Sequence, residues 1–431
     1  MAINTKLDLR RQTMYSVYVR NHSESGNFNG VTADLDRIKE LGIDILWLMP
    51  IHPIGHVNKK GSLGCPYSIE DYRKVNPEYG TLEDFITLIN ETHKRGMKLI
   101  IDVVYNHTSH NSVLLNEHPE FFYRKANDCT GNKIGDWTDI IDLDYEKNKE
   151  LWDYQIETLK YWASIGVDGF RCDVASLVPI EFWLRARNEV ANIKEDTIWL
   201  AESVHPEFIT YLRSEGITVH SDSEIFQAFD ITYDYDTYGY FREYLEGKHT
   251  LGYLLDKKRN QEYIYPSNYV KLRFVENHDQ LRAAQVLPEN TDLKNWTAFS
   301  FFEKGMALVY AGQECKDANT PSLFDKDLVI WDYKDEFISF IKKLITIKKD
   351  EIFALGNYEI LKQSRKGVIE GKYDYNTTAL YGIFNVERKF GELNVSIPDG
   401  NYTNLIDDSS IEIKEGKLKL SNTPVIIKYS K

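Results

Sequence analysis

Gly169-Phe170-Arg171-Cys172-Asp173-Val174-Ala175 is the stretch whose reading decides the fold. It is a short apolar strand, entered through Asp168-Gly169, with two opposite charges near its end. Residues two apart on a strand leave from the same face, so Arg171 and Asp173 point together. An arginine beside a carboxylate favours the ionised form of that carboxylate. An aspartate held anionic at a strand end, within reach of a substrate, is a candidate nucleophile. Taken alone, an Arg-x-Asp pair is more often structural than catalytic. The company this strand keeps along the chain decides between the two.

Outward from this strand, short β-rich runs alternate with amphipathic stretches of helical length up to about residue 350. The strands read from the pattern are Tyr15–Val19, Ile43–Leu48, Lys98–Val104, Val167–Cys172, Ile198–Ala201, Ile225–Asp230, Val270–Phe274 and Ala307–Tyr310. Between them lie helical stretches such as Thr81–Arg95, Lys147–Ser164, Pro179–Ala191, Asp292–Lys304 and Asp335–Lys349. That alternation argues for a parallel α/β architecture. Eight strands fit a closed (β/α)8 TIM barrel, with an open doubly wound sheet as the alternative.

Two connections are too long to be ordinary loops, residues 51–80 and 105–146. Both leave the C-terminal ends of strands, where barrel enzymes build their sites. After about residue 352 the texture changes to alternating strands at Tyr358–Gln363, Val368–Tyr375, Ala379–Val386, Leu393–Ile397 and Val425–Tyr429, with turn signals at Asp399-Gly400 and Glu415-Gly416. The expected organisation is a barrel from residues 1–104 and 147–350, a small inserted domain at 105–146, and a C-terminal antiparallel β domain at 352–431.

Composition narrows the function classes. A formal charge of −14 argues against a nucleic acid or an anionic membrane as partner. The aromatic share of 13% fits core packing and sugar-stacking platforms equally well. The four cysteines, at 65, 129, 172 and 315, lack metal-ligand spacing, so reduced thiols and no disulfide frame are expected. Met1 to Arg11 is polar and no run approaches a membrane span, which gives a cytoplasmic expectation.

Four chemically rich clusters fall at strand ends. Asp102-Val103-Val104-Tyr105-Asn106-His107 closes the third strand, and Arg171 and Asp173 close the fourth. Glu202 closes the fifth, and Phe274-Val275-Glu276-Asn277-His278-Asp279 the seventh. Singly, each acid is a solvated loop carboxylate more often than a catalyst. In a closed barrel, all four ends would share one face. Carboxylates with histidines and an arginine suit chemistry that develops positive charge on a substrate, of which glycoside cleavage is the case. Metal-dependent hydrolysis is the other reading, but His107 and His278 show no metal-binding spacing.

DVVYNH, GFRCDVA, the glutamate of WLAES and FVENHD resemble, in order and spacing, the four signature regions of the α-amylase superfamily of glycoside hydrolases. Gly42–Pro50 (GIDILWLMP), Gly305–Glu314 (GMALVYAGQE), and Gly64-Cys65-Pro66-Tyr67 with Asp71-Tyr72 and Asn76-Pro77 add to the likeness, which covers essentially the whole chain. It implies Asp173 as nucleophile, Glu202 as general acid/base and Asp279 as a third carboxylate that holds sugar hydroxyls. Arg171 would orient and ionise Asp173. His107 and His278 would bind the sugar, Tyr67 would stack on it, and Asp102 would support the geometry. Glu202 must stay protonated near neutral pH, which nearby anionic Asp173 and Asp279 would favour.

The resemblance also implies a structural calcium near Asn106 in many relatives, with Asp136, Asp139, Asp142 and Asp144 as carboxylates within reach. Many endo-amylases carry a Lys-His pair three and four positions beyond the nucleophile; this chain has Ser176-Leu177. That departure, and the shortness of the insertion, give the expectation that no tightly held calcium and no cofactor is required. It also points away from long-chain endo-amylases, toward the neopullulanase and cyclomaltodextrinase branch. The substrate expected is an α-glucan oligosaccharide, cleaved at α-1,4 bonds with α-1,6 bonds as an extension. A transglycosylase or isomerase on the same residues is the nearest rival, and a non-catalytic binding protein of the same fold is the remoter one.

Overall fold

The computed structural model describes residues 4–126, 128–134 and 137–431. Eight strands carry the architecture: β1 (Thr13–Val17), β2 (Ile45–Leu48), β3 (Lys98–Val103), β4 (Gly169–Cys172), β5 (Ile198–Ala201), β6 (Ile231–Tyr233), β7 (Val270–Arg273) and β8 (Met306–Tyr310). They close a barrel in the order β1-β8-β7-β6-β5-β4-β3-β2, so the open-sheet alternative falls away. Neighbouring strands pair in parallel, with Ile45 opposite Lys98, Asp102 opposite Arg171, and Cys172 opposite Ala201. Helices intervene as their periodicity and caps dictate. Leu82–Lys94, for example, starts at a reciprocal capping box between Thr81 and Asp84 and buries Phe85, Leu88, Ile89 and Thr92.

One strand differs from its sequence reading. Residues 225–230 do not form the sixth strand; β6 begins at Ile231. The reason is local. Ser221 and Glu224 form a capping box that starts a helical turn over Asp222–Ile225, and the chain becomes extended only after Asp230.

The chain divides into two compact units. Among the described residues, the first comprises Asn4, Tyr15–Tyr233 and Pro321–Val329. Within it, β4 runs so close to β5 that a Cβ at Gly169 would lie 2.4 Å from the Ile198 carbonyl oxygen, so only glycine fits there. The long connection after β3 forms an antiparallel pair, His107–Ser109 with Ile140–Asp142, and a short helix at Val113–Glu117 capped by Ser112.

The second unit comprises Thr5–Met14, Asp234–Thr320 and Ile330–Lys431. Its C-terminal part is all-β. One four-stranded sheet runs in the order Asn357–Ile360, Ile369–Tyr375, Thr378–Phe384, Val425–Ser430. Another runs Glu392–Asn394, Lys417–Lys419, Ser410–Lys414, Gly400–Thr403. Val368, Tyr381, Ile383, Leu393, Ile413 and Ile427 belong to a shared core cluster. The strands at 400–403, 410–414 and 417–419 have no counterpart in the sequence reading, being short and largely exposed. The Glu415-Gly416 signal is the turn between two of them, with both residues at positive φ.

Among the described residues no disulfide links the four cysteines. No helix among them is long and apolar enough to cross a membrane.

Candidate active site

The registers of β3, β4 and β5 bring the first cluster together. The ladder continues one residue past β4 and β5: Asp173 donates its N–H to Val103 O at 2.9 Å, and Glu202 donates to Cys172 O at 3.0 Å. Arg171, fully buried, stands beside Asp102 on the neighbouring strand. Its Nη1 donates to Asp102 Oδ1 and to Asp173 Oδ1, both at 2.9 Å, and its Nη2 lies 2.9 Å from Glu202 Oε2. Its Nε donates to the Tyr233 hydroxyl at 3.1 Å. The rings of Trp47, Tyr67 and Tyr233 surround the guanidinium, with centroids 5.3–5.6 Å from its carbon.

One cation thus serves three carboxylates in a dry place. Burial, and after it the charge of Glu202, push the Asp173 carboxyl well above its usual range; Arg171 opposes both. Burial likewise pushes Asp102 up to about 7, again against Arg171. Arg171 acts on Asp173 in the direction the sequence reading gave it, favouring the ionised carboxylate, while burial and Glu202 oppose it. A guanidinium shared three ways is outweighed at Asp173 by burial and by the neighbouring Glu202.

Glu202 is fixed by a second donor. Its Oε2 accepts the N–H of Val174 at 2.8 Å, leaving Oε1 as the oxygen without a donor from this pair of contacts. Val174 sits at φ 34° and ψ 45°, a left-handed turn that β-branched residues rarely occupy. His107 is buried, and its burial holds the imidazole down at about 4, hence neutral near pH 7. Its Nδ1 faces the Asn106 amide nitrogen at 3.1 Å and its Nε2 lies 3.8 Å from Asp173 Oδ2. With Asn106 donating, the ring carries its proton on Nε2, toward Asp173. Tyr67 donates its hydroxyl to Asp102 Oδ2 at 3.1 Å. The Trp137 ring lies 5.6 Å from that of His107.

The second unit carries the rest. Past β7, Glu276 is fully tied, accepting from Arg282 Nη1 at 2.7 Å and from the Ala283 N–H at 2.6 Å. Asn277 donates to the Tyr235 hydroxyl at 2.9 Å and accepts the Asp279 N–H at 2.9 Å. His278 is buried with Nε2 3.2 Å from Asp279 Oδ2, whereas the Asp279 side chain is 37% exposed. Of the two acids in this motif, Glu276 is spent on structure, whereas Asp279 is partly exposed and meets His278 and the Tyr235 hydroxyl.

The structure therefore gathers Asp102, Arg171, Asp173, Glu202, His107 and Tyr67 in one cluster, and His278 with Asp279 in another. Sequence reasoning missed Trp47, Tyr233, Trp137 and Val174. Trp47 lay inside the quoted β2 motif, but nothing singled it out from its apolar neighbours. Tyr233 was out of reach because the sixth strand was set too early.

The carboxylates considered for a metal are differently placed. Asp139 pairs with Lys60 at 2.8 Å, and Asp144 with Lys147 at 3.0 Å. Asp142 accepts the Lys133 N–H at 2.6 Å. Asp136 lies outside the described residues. Among those described, no group of three or more His, Cys, Asp and Glu side chains is arranged to hold a metal ion.

Residues 15–137 and 134–352 match the family described as Alpha amylase, catalytic domain, and residues 359–427 match Bacterial Alpha amylase C-terminal domain. The crystal structure of an α-amylase from Lactobacillus plantarum is similar, with 47% identity and a TM-score of 0.94 over 98% of this chain and 100% of that one. A noncanonic maltogenic α-amylase, AmyB from Thermotoga neapolitana, shows 33% identity and a TM-score of 0.88 over 98% and 100%. Alpha-amylase 2 of Dictyoglomus thermophilum is 27% identical over 75% of this chain and 58% of its own length. The chain spans about half the length of the curated relatives it matches, 58% and 48% of two of them.

Proposed function

The chain belongs to the α-amylase family, and from that premise we propose that it is a retaining glycoside hydrolase. Its substrates in this reading are maltodextrins and starch-derived oligosaccharides, cut at α-1,4 and secondarily α-1,6 glucosidic bonds. The observation that carries the reading is Arg171 set between Asp173 and Glu202, 2.9 Å from an oxygen of each. Two carboxylates on one guanidinium suit the separation of roughly 5–5.5 Å that retaining chemistry needs.

Asp173 attacks the anomeric carbon and forms a covalent glycosyl-enzyme, while Glu202 protonates the departing oxygen. Glu202 then takes a proton from the water that attacks the intermediate from the opposite side. In this mechanism Asp173 acts as the anionic nucleophile and Glu202 as the proton donor. Neutral His107 donates from Nε2 to a sugar hydroxyl, and Tyr67 offers its ring to the sugar face. His278 and Asp279 hold further hydroxyls. Asp102 shares Arg171 with the nucleophile and so positions it. The maltogenic name of the Thermotoga relative supports short products.

Proton NMR of the first products from maltotriose and soluble starch tests the reading. Early accumulation of the α-anomer is expected, since two displacements each invert the centre. An initial β-anomer would remove Asp173 from the nucleophile's role.

A further inference from the structure

We infer that Tyr233 is a positioning residue for the proposed reaction: its hydroxyl fixes the guanidinium of Arg171 and so decides how one cation is divided among Asp102, Asp173 and Glu202. Tyr233 lies outside the four signature stretches, and its role rests on the retaining reading above.

Strand register puts it there. Ala201 on β5 pairs with Thr232 on β6, so Tyr233 ends level with Glu202. Trp47 on β2, Arg171 on β4 and Tyr233 on β6 come from alternate strands, which is how a barrel fills one interior layer. All three are fully buried, and the Trp47 and Tyr233 rings meet edge to face at 6.3 Å and 66°. The Tyr233 backbone is held as well, its carbonyl accepting from Ser203 Oγ at 3.3 Å.

Every nitrogen of the guanidinium faces a partner, and only one partner is not a carboxylate. Nη1 donates to Asp102 and Asp173, and Nη2 lies 2.9 Å from Glu202 Oε2 without an aligned hydrogen bond. Nε donates to the Tyr233 hydroxyl at 3.1 Å. The guanidinium is planar, so bonds at Nε and Nη1 together fix where Nη2 stands. Without the hydroxyl the plane would be held by carboxylates alone, and the Nε–H would be a buried donor left unpaired. A fully buried hydroxyl reaches no sugar, so Tyr233 acts on the reaction only through Arg171.

The other titratable groups around Arg171 and Asp173 within this unit are Cys172 on β4, Asp102 from β3 and Glu202 from β5. Cys65, Tyr67 and Tyr72 face them from the connection after β2, and His107 from that after β3. Tyr233→Phe leaves each of these in place, so a change in pH dependence reads the guanidinium.

The test compares full-length wild type with Tyr233→Phe, which keeps the ring and loses only the hydroxyl. On maltotriose, kcat/KM should fall about tenfold or more, through kcat, with KM changed less than about twofold. The acid limb of the pH profile of kcat/KM should move up by about half a unit or more, because a loosened guanidinium opposes burial and Glu202 less. Crystal structures of the two should show the guanidinium turned in the variant, with Nη1 no longer bonded to both Asp102 and Asp173. A wild-type pH profile in the variant, or an unmoved guanidinium, overturns the inference. If Tyr233→Phe fails to fold, Tyr233→Met, which also lacks the hydroxyl, is read the same way. If wild type leaves maltotriose and soluble starch uncut, the retaining reading fails, and the place of the guanidinium in the variant structure alone decides the role of Tyr233.

Discussion

Val174 donates its backbone N–H to Oε2 of Glu202 at 2.8 Å, from a left-handed turn with φ 34°. The residue directly after the proposed nucleophile therefore orients the proposed acid. Its side chain packs with Val204, Leu212 and Val219, which explains why the turn is not simply glycine. Strain at this φ and apolar burial oppose each other.

The two substitutions at Val174 separate those terms. Val174→Ala loses the packing and keeps most of the strain; Val174→Gly loses slightly more packing and relieves it. The glycine variant should melt above the alanine variant, by an amount worth about 1 kcal/mol, reversing the ordinary preference for alanine. Calorimetry of the pair reads this, and the opposite order would mean that the turn is unstrained.

Asp173→Asn should lower kcat by several powers of ten, since a neutral amide cannot form the covalent intermediate. Stability should move the other way. Burial and Glu202 raise the folded-state pKa of Asp173, so its ionisation at neutral pH opposes folding, and a neutral isostere should melt at or above wild type. Activity within tenfold of wild type would dismiss Asp173 as nucleophile. A drop in melting temperature would dismiss the electrostatic account.

Glu202→Gln should spare substrates with activated leaving groups in the first step, because these depart without protonation. Natural maltodextrins should suffer far more. Comparing kcat/KM for maltotriose and for a nitrophenyl α-glucoside measures the difference. Equal losses would contradict an acid role.

Asp102 supplies a pH signature. Its folded-state value is pushed up to about 7 from an ordinary 3.8, chiefly by burial. Its contribution to stability is therefore complete below about pH 4 and is lost as pH rises through 7. Melting temperatures of wild type and Asp102→Asn, measured from pH 5 to 8, should diverge in slope, the wild type falling more steeply. Parallel curves would show that Asp102 does not titrate in this window.

The sequence alone determined the barrel and the order of its motifs. Hydrophobic periodicity, caps and strand-end charges are local properties, written within a few residues of one another. The placing of Asp173 and Glu202 at the ends of successive strands was readable for the same reason, as was the β texture after residue 352. The sixth strand was misread because a capping box at Ser221 and Glu224 overrode an apolar run, and Tyr233 was lost with it. Only the tertiary structure decided what the charges do. Arg171 reaches Asp102, 69 residues away in the chain, and Glu202 on the next strand, so it is divided among three carboxylates rather than devoted to Asp173. Glu276 and Asp279 look alike in sequence, yet one is buried against Arg282 and the other is partly exposed. Burial and shared partners are properties of the folded environment, and no spacing along the chain encodes how many carboxylates one guanidinium must serve.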